Sequence, residues 1–440
     1  MDYATTAEAQ LTGIASESRG SGATGKQLGT RQQHQPPQFR VLDTFAGAGG
    51  FSLGFEMAGA KVVGAIEIDK WACETFEHNH KGAVVLQRDI SAMTDEELLA
   101  VFGDAKPNII VGGPPCQGFS ICNRNAGDPK DPRNSLFREF VRLGVLFKPD
   151  VMVMENVPNL LAAKTSDKKP VISIIEQELR DLGFHVYIKT LQATEYGVPQ
   201  IRTRLFVIAS REPLARPFPL PTHRNGQTSD LFEESLPACP NLWDAISDLP
   251  KLGAGEGGEV LEYEEPARNE YQAMLRAGSE KLYNHKAMCH GKRMVERFAS
   301  MKWGHSVNDV PDHLKPRRRN STEITTVAYD QNNRRMFPHR PCHTIPASFY
   351  ANFVHPYQHR NFTAREGARI QSFPDWYRFL GKPTVVSHRL LAREGRDEEK
   401  FLCQYNQIGN AVPPLLSRAV AINLAEQLAE VLECSSTEAT

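Results

Sequence analysis

The chain has 440 residues, 40% hydrophobic and 23% charged, with 51 Lys and Arg against 52 Asp and Glu. That length can bury a sizeable core and predicts two domains, or one domain with a large insertion, in an ordinary globular protein. The net charge of −1 leaves nucleic acid open, since binding it would need a local basic face. No apolar run reaches the roughly 18 residues of a membrane span and no hydrophobic signal region opens the chain, so an intracellular protein is expected. Eight cysteines, scattered without CxxC pairs, suggest neither a disulfide framework nor a zinc ribbon. His285, Cys289, His290 and Cys342-His343 fit no standard metal spacing, and no metal is expected.

Residues 1–38 are rich in Ser, Gly, Thr, Ala and Gln and are expected to form a disordered tail. The folded part opens on a strand, Phe39 to Asp43, followed by Thr44-Phe45-Ala46-Gly47-Ala48-Gly49-Gly50 and a helix from Phe51 to Ala58. Glycines between a first strand and a first helix let backbone approach a ligand closely. Their spacing is not GxGxxG and no Walker lysine follows, which disfavours NAD and ATP. A second strand, Lys61 to Ile66, ends at Glu67 and Asp69, and a third beginning at Val84 leads to Asp89. Acids at strand tips suit ribose hydroxyls, although each alone also suits a helix cap. Together with the glycine turn they describe a nucleoside-type pocket.

The strand Asn108 to Val111 runs into Gly112-Gly113-Pro114-Pro115-Cys116-Gln117-Gly118-Phe119-Ser120. Two glycines and two prolines fix a sharp turn that presents Cys116 on a rigid corner. A polar loop, 117–135, suits a lid. A helix over about 136–147 and a strand from Asp150 to Met154 follow, ending at Glu155. Consecutive parallel strands are commonly neighbours, so Cys116 and Glu155 are expected to face one pocket. His185 to Ile188 and Arg204 to Ile208 are expected to pair as edge strands. Arg202 and Arg204, two apart in an extended segment, are expected to point the same way. From about Arg211 to 355 periodicity weakens. That region holds Lys315-Pro316-Arg317-Arg318-Arg319, with Trp303, His305, Arg334, Arg335, His339 and Arg340 nearby, a candidate nucleic-acid face. A helix begins near Thr363, and a long amphipathic helix runs from Leu415 to about Leu432.

Six ordered stretches carry a resemblance: 43–50, 113–120, 155–157, 200–204, 365–374 and 407–413. Over about residues 39–430 the chain resembles the DNA (cytosine-5)-methyltransferases of bacterial type. The resemblance implies an α/β fold, a Rossmann-like S-adenosylmethionine-dependent domain with an inserted, smaller target-recognition domain. The expected division is a tail at 1–38, the catalytic and cofactor-binding domain at 39–210 and target recognition at 211–355. A hinge and linker at 356–400 and a segment at 401–440 that completes the catalytic domain then follow. Asp43, Phe45, Gly47, Gly49, Gly50, Glu67, Asp89, Ile90, Pro114, Asn410 and Val412 are implied to bind S-adenosyl-L-methionine.

The implied chemistry explains the residue types. Carbon 5 of cytosine is too weak a nucleophile until the Cys116 thiolate adds to carbon 6. Glu155 would hold or protonate N3, and Arg204 would donate to the exocyclic oxygen, with Arg202 and Gln117 in the same site. A base stacked in a duplex must be flipped out, and Arg133 in the closing loop is a candidate backbone contact beside Arg317, Arg318 and Arg319. The implied partner is double-stranded DNA, with no membrane; any cognate restriction endonuclease would act separately. A monomer in the bacterial cytoplasm, bound to the nucleoid through DNA, is expected. The rival readings are a tRNA-methylating relative, disfavoured by Gly118-Phe119-Ser120, and a non-catalytic DNA-binding relative, disfavoured by intact Cys116, Glu155 and Arg204. A charged segment at about 384–400 and the tail carry no functional reading, and the recognition sequence cannot be read.

Overall fold

Short runs of β-branched and aliphatic residues, apolar on both faces, build the centre of the fold, as expected for parallel strands covered by helices on either side. In the computed structural model, which describes residues 39–115, 136–165, 167–224, 236–317, 324, 333–384, 388–396 and 400–438, these runs form a seven-stranded sheet. The strands are β1 (Arg40–Thr44), β2 (Lys61–Glu67), β3 (Val84–Gln87), β4 (Ile109–Gly112), β5 (Val151–Asn156) and β6 (His185–Gln192), then the two-residue β7 (Gln200–Ile201) and β8 (Thr203–Ser210). The sheet order is β3-β2-β1-β4-β5-β8-β6. β1 to β5 are mutually parallel, and β8 runs antiparallel to both β5 and β6. The expected pairing of the last two strands holds, but only β6 is an edge: β8 is inserted beside β5, where its run 205–210 is buried throughout.

Alternation along each strand sends side chains to two cores. Val41, Ile109, Val151 and Val153 join Phe51 and Phe55 of α1 (Gly50–Glu56) on one face. Leu42, Ile110, Met152 and Met154 face the other core. There they meet α3 (Asp95–Phe102), α4 (Leu136–Phe147) and α5 (Val171–Asp181) through Phe102, Phe140, Leu143, Ile175 and Leu179. α2 (Lys70–Asn79) starts at Asp69, whose carboxylate accepts from Ala72 N–H at 2.9 Å.

Beyond β8 the elements are short: α6 (Leu242–Ile246), β9 (Gly257–Leu261), α7 (Glu270–Arg276), β10 (Leu282–Lys286), α8 (Lys292–Ala299), β11 (Arg334–Arg335), β12 (Cys342–His343) and β13 (Phe353–Val354). β12 pairs in parallel with β7, drawing this region against the short strand that leads into Arg202 and Arg204. α9 (Ala364–Ile370), α10 (His388–Arg393), α11 (Gln404–Asn410) and α12 (Pro414–Glu438) complete the chain. Residues 360–375, in the stretch read as hinge and linker, are buried without a break.

Arg369 there ties the region together. Its guanidinium meets Asp375 at 2.9 and 2.7 Å and also pairs with Asp248. α12 returns to pack on α1, with Ser417 Oγ donating to Phe51 O at 2.6 Å. A Cβ at Gly54 would lie 2.4 Å from Ser417 Cβ, so the two helices touch only because that position is glycine. Among the described residues no helix is long and apolar enough to cross a membrane.

Candidate active site

The carboxyl ends of β1, β2, β4 and β5 open onto one cavity of about 580 Å³, the usual ligand position in a doubly wound sheet. Ten of the residues implied to bind cofactor line it: Asp43, Phe45, Gly47, Gly50, Glu67, Asp89, Ile90, Pro114, Asn410 and Val412. Gly49 does not. It has φ +84°, and a Cβ there would lie 2.3 Å from His80 Nε2, so its glycine serves packing beneath the turn. Gly50 is held by closeness too, since its Cβ would sit 2.4 Å from Val412 O. The returning 411–412 segment can therefore form the cavity wall only against a bare backbone. Phe45, another lining residue, takes the left-handed φ of 56° that non-glycine residues rarely adopt.

Glu67 at the tip of β2 shapes the glycine turn, accepting from Gly47 N–H at 2.7 Å through one oxygen and from Ile68 and Asp69 N–H through the other. Burial pushes its carboxyl up even so. Asp43 is 1% exposed and accepts from Ser52 Oγ at 2.7 Å. Burial, with the charge of Glu67 adding to it, raises Asp43 to about 7. Asp69 and Asp89 act as helix caps: Asp69 also accepts from Leu402 N–H at 2.7 Å, and exposed Asp89 caps a short 3-10 turn through Ser91. Both readings of a strand-tip acid thus apply, because Asp89 caps and still lines the cavity.

On the β5 side, Arg204 Nε meets Glu155 Oε1 at 2.9 Å, with side-chain exposures of only 14% and 12%. An ion pair would normally lower a carboxylate, yet burial outweighs Arg204 and Arg202 and holds Glu155 above its ordinary value. The turn after β4 abuts this pair. A Cβ at Gly113 would lie 3.5 Å from Glu155 Oε2, and Asn156 Nδ2 donates to Pro114 O at 2.9 Å. The neighbouring parallel register, Ile109 with Val151, brings the turn there. Cys116 and Gln117 follow directly after Pro115 and lie outside the described residues, as do Arg133, Arg318 and Arg319.

Arg202 lines the same cavity but is 1% exposed. Its Nη1 donates to Ile345 O, and Nη2 donates to Gly409 O and Ala411 O. Those bonds pin the motif at 407–413 to the Arg204 strand, a structural duty its spacing did not reveal, and leave Nε without a protein partner. Arg317 is exposed, away from the cavity lining. Arg335 is no candidate for a nucleic-acid face, because it is buried and donates to the carbonyls of His355, Pro356 and Phe298. Trp303 remains 42% exposed, edge-on to His339 and Tyr357. Arg88, Leu402 and Gln407 line the cavity without having been singled out. Gln407 lay in a quoted motif, whereas Leu402 is delivered by tertiary folding alone.

The family model for C-5 cytosine-specific DNA methylases matches residues 39–426. The type II methyltransferase M.DdeI of Desulfomicrobium norvegicum is 46% identical over 384 residues, 87% of each chain. The type II methyltransferase M1.HphI of Haemophilus parahaemolyticus is 34% identical, over 86% of this chain and 85% of that one. Among solved structures, a candidate DNA modification methyltransferase encoded within an E. coli prophage superposes with a TM-score of 0.65 at 24% identity. It covers 89% of this chain and 100% of its own, a likeness of fold. With the sheet, the cavity at its carboxyl edge and the Glu155–Arg204 pair in view, the chain belongs to the C-5 cytosine-specific DNA methylases, enzymes that methylate carbon 5 of cytosine in DNA.

Proposed function

We propose that the cavity receives S-adenosyl-L-methionine and that a cytosine flipped out of duplex DNA meets it at the Glu155–Arg204 pair, with Cys116 as the nucleophile. The observation that carries this reading is the pair itself: a carboxyl raised by burial beside a guanidinium, in the wall of a cavity edged by a glycine turn. The residues fit the donor. Phe45, Ile66, Ile90 and Val412 offer apolar surface for an adenine, and Glu67 stands at the strand tip that suits ribose hydroxyls. Asp43 and Glu67, both raised by burial, suit a ligand that is itself cationic. When bound, the donor supplies an electrophilic methyl group on a sulfonium.

The chain's own residues do the rest. The Cys116 sulfur bonds to carbon 6, which makes carbon 5 nucleophilic. Glu155, held up by its burial, keeps a proton at N3 and so draws electrons from carbon 6. Arg204 donates to the exocyclic oxygen as charge builds there. After loss of the carbon 5 proton the ring expels Cys116. Residues 39–210 and 401–440 serve catalysis in this reading, and 211–355 recognises the target, with Arg133, Arg317, Arg318 and Arg319 as backbone contacts. The names of the relatives support a modification enzyme of a type II restriction system, whose endonuclease acts separately in the same cytoplasm.

Incubation with labelled S-adenosylmethionine and either duplex DNA or tRNA tests the reading. Label is expected in DNA, at one sequence mapped by bisulfite sequencing. Label in tRNA alone would overturn it.

A further inference from the structure

The turn that borders the cavity is held from outside the sheet. The carbonyl of Ala48, a residue of the cavity wall, accepts the hydroxyl hydrogen of Tyr377. Tyr377 is fully buried, with Phe373, Phe379 and Trp376 rings centred 5.0 to 5.7 Å away. Its oxygen lies 3.0 Å from His80 Nε2, and His80 Nδ1 lies 2.8 Å from Glu56 Oε2. The end of α1 (Glu56), the residue closing α2 (His80) and the segment after α9 thus converge on one carbonyl.

Counting hydrogens fixes the direction of the relay. A phenol has one hydrogen, and the carbonyl, which can only accept, takes it. His80 Nε2 must then donate to the phenol oxygen, and its Nδ1 faces Glu56. Burial, with the charges of Glu56 and Asp43, holds the Tyr377 phenol well above its ordinary range, so it remains a donor.

Tyr377 is also wired to the recognition half of the chain. Arg365 Nη2 donates to Tyr377 O at 2.6 Å and Nη1 to Pro374 O at 3.0 Å. Arg365 Nη1 lies 3.7 Å from Asp375, the partner of Arg369. Arg369 in turn holds Asp248 and the carbonyl of Ala245 in α6. The glycine turn is anchored on β2 through Ala46 N–H to Ile66 O and Gly47 N–H to Glu67, and from outside the sheet through Ala48 C=O, which accepts from Tyr377.

Building on the assignment of this cavity to the methyl donor, we propose that the Tyr377 hydroxyl, backed by His80 and Glu56, is a positioning group that holds the 46–50 turn in its donor-receiving shape. Donor affinity is then set partly by residues that never touch the donor, one of which, Tyr377, is tied through Arg365, Asp375 and Arg369 to Asp248 and Ala245 in the 211–355 region. Deleting the hydroxyl leaves the Ala48 carbonyl buried and unpaired, so the turn relaxes toward other shapes.

Tyr377→Phe removes one oxygen and leaves the ring in the core. The expected result is an S-adenosylmethionine Kd, titrated without DNA, raised about tenfold, the scale of one buried hydrogen bond. KM for the donor should rise in step, while kcat at saturating donor and KM for DNA stay within about twofold, the split expected when only donor binding is lost. A donor Kd within twofold of wild type overturns the proposal, as does a fall in kcat with donor affinity intact. His80→Phe, which removes the backing donor and keeps Tyr377, provides a second test and should raise the donor Kd in the same sense; an unchanged Kd there counts against the relay. Wild-type protein that fails to bind the donor overturns the cavity assignment itself, whereas wild-type binding matched by both variants overturns only the role of Tyr377.

Discussion

At the scale of single side chains the proposed mechanism rests on two buried acids. Glu155 keeps an ion pair with Arg204 and is nevertheless raised by burial, which suits a group that must hold a proton against a base. Glu155→Gln keeps the shape but cannot deliver that proton, so kcat is expected to fall by about 10² to 10⁴, with DNA affinity retained in a gel-shift titration. Asp43, raised to about 7, is expected to make donor binding at the proposed site depend on pH. A cationic ligand favours its carboxylate and lowers its pKa in the complex. Affinity should therefore be flat well above pH 7 and weaken by up to about tenfold per unit as pH falls below 7. Titration calorimetry across pH 5.5 to 8.5 checks this, and Asp43→Asn should flatten the slope in that range. Glu155 was legible in the sequence as the end of the strand after the Cys116 turn, whereas Asp43 was marked only by the family resemblance, because a strand-tip acid alone also suits a helix cap. The duty of Arg202 was not legible, since its partners Ile345, Gly409 and Ala411 lie more than 140 residues away in the chain.

Element by element, the legible parts were those with strong periodicity. β1, β4 and β5 show as short apolar runs, and the helix expected over 136–147 is the one observed. The region from 211 to 355 could not be resolved into elements, because its strands are two to five residues long and its apolar residues are gathered into a core by tertiary folding rather than by local periodicity. Nothing local in the sequence announces that Arg360 pairs with Glu366 at 2.6 Å, or that Arg369 bridges Asp248 and Asp375. Nor did spacing show that Gly49 is needed under the turn rather than in the cavity. This network gives α9 a test of its own. Arg369→Ala takes the shared partner from two buried carboxylates, leaving Asp248 with Arg276 and Asp375 with Tyr263 and Arg365, and is expected to cost about 3 kcal/mol, toward the lower end of the penalty for breaking a buried pair. Urea unfolding followed by circular dichroism measures it, and a loss below 1 kcal/mol would mean the network is dispensable.

For the whole molecule, the path of the chain explains why the motifs are so dispersed. The sheet supplies the glycine turn, the acids and the Glu155–Arg204 pair; the chain then leaves for the 211–355 region. It returns through α9 and α11 to bring Asn410 and Val412 to the cavity, and α12 locks that return onto α1 through Ser417 and Phe51. One cavity is thus assembled from both ends of the chain, and the proposed mechanism turns on Cys116, the residue after Pro115. The most direct test uses duplex DNA carrying 5-fluorocytosine at the target position, with S-adenosylmethionine present. Fluorine at carbon 5 blocks the elimination that frees the enzyme. A protein–DNA adduct stable in denaturing gels is expected from the wild type and should be absent from Cys116→Ala. A wild-type enzyme that methylates ordinary cytosine yet forms no such adduct, or an adduct that survives Cys116→Ala, would contradict nucleophilic attack by Cys116.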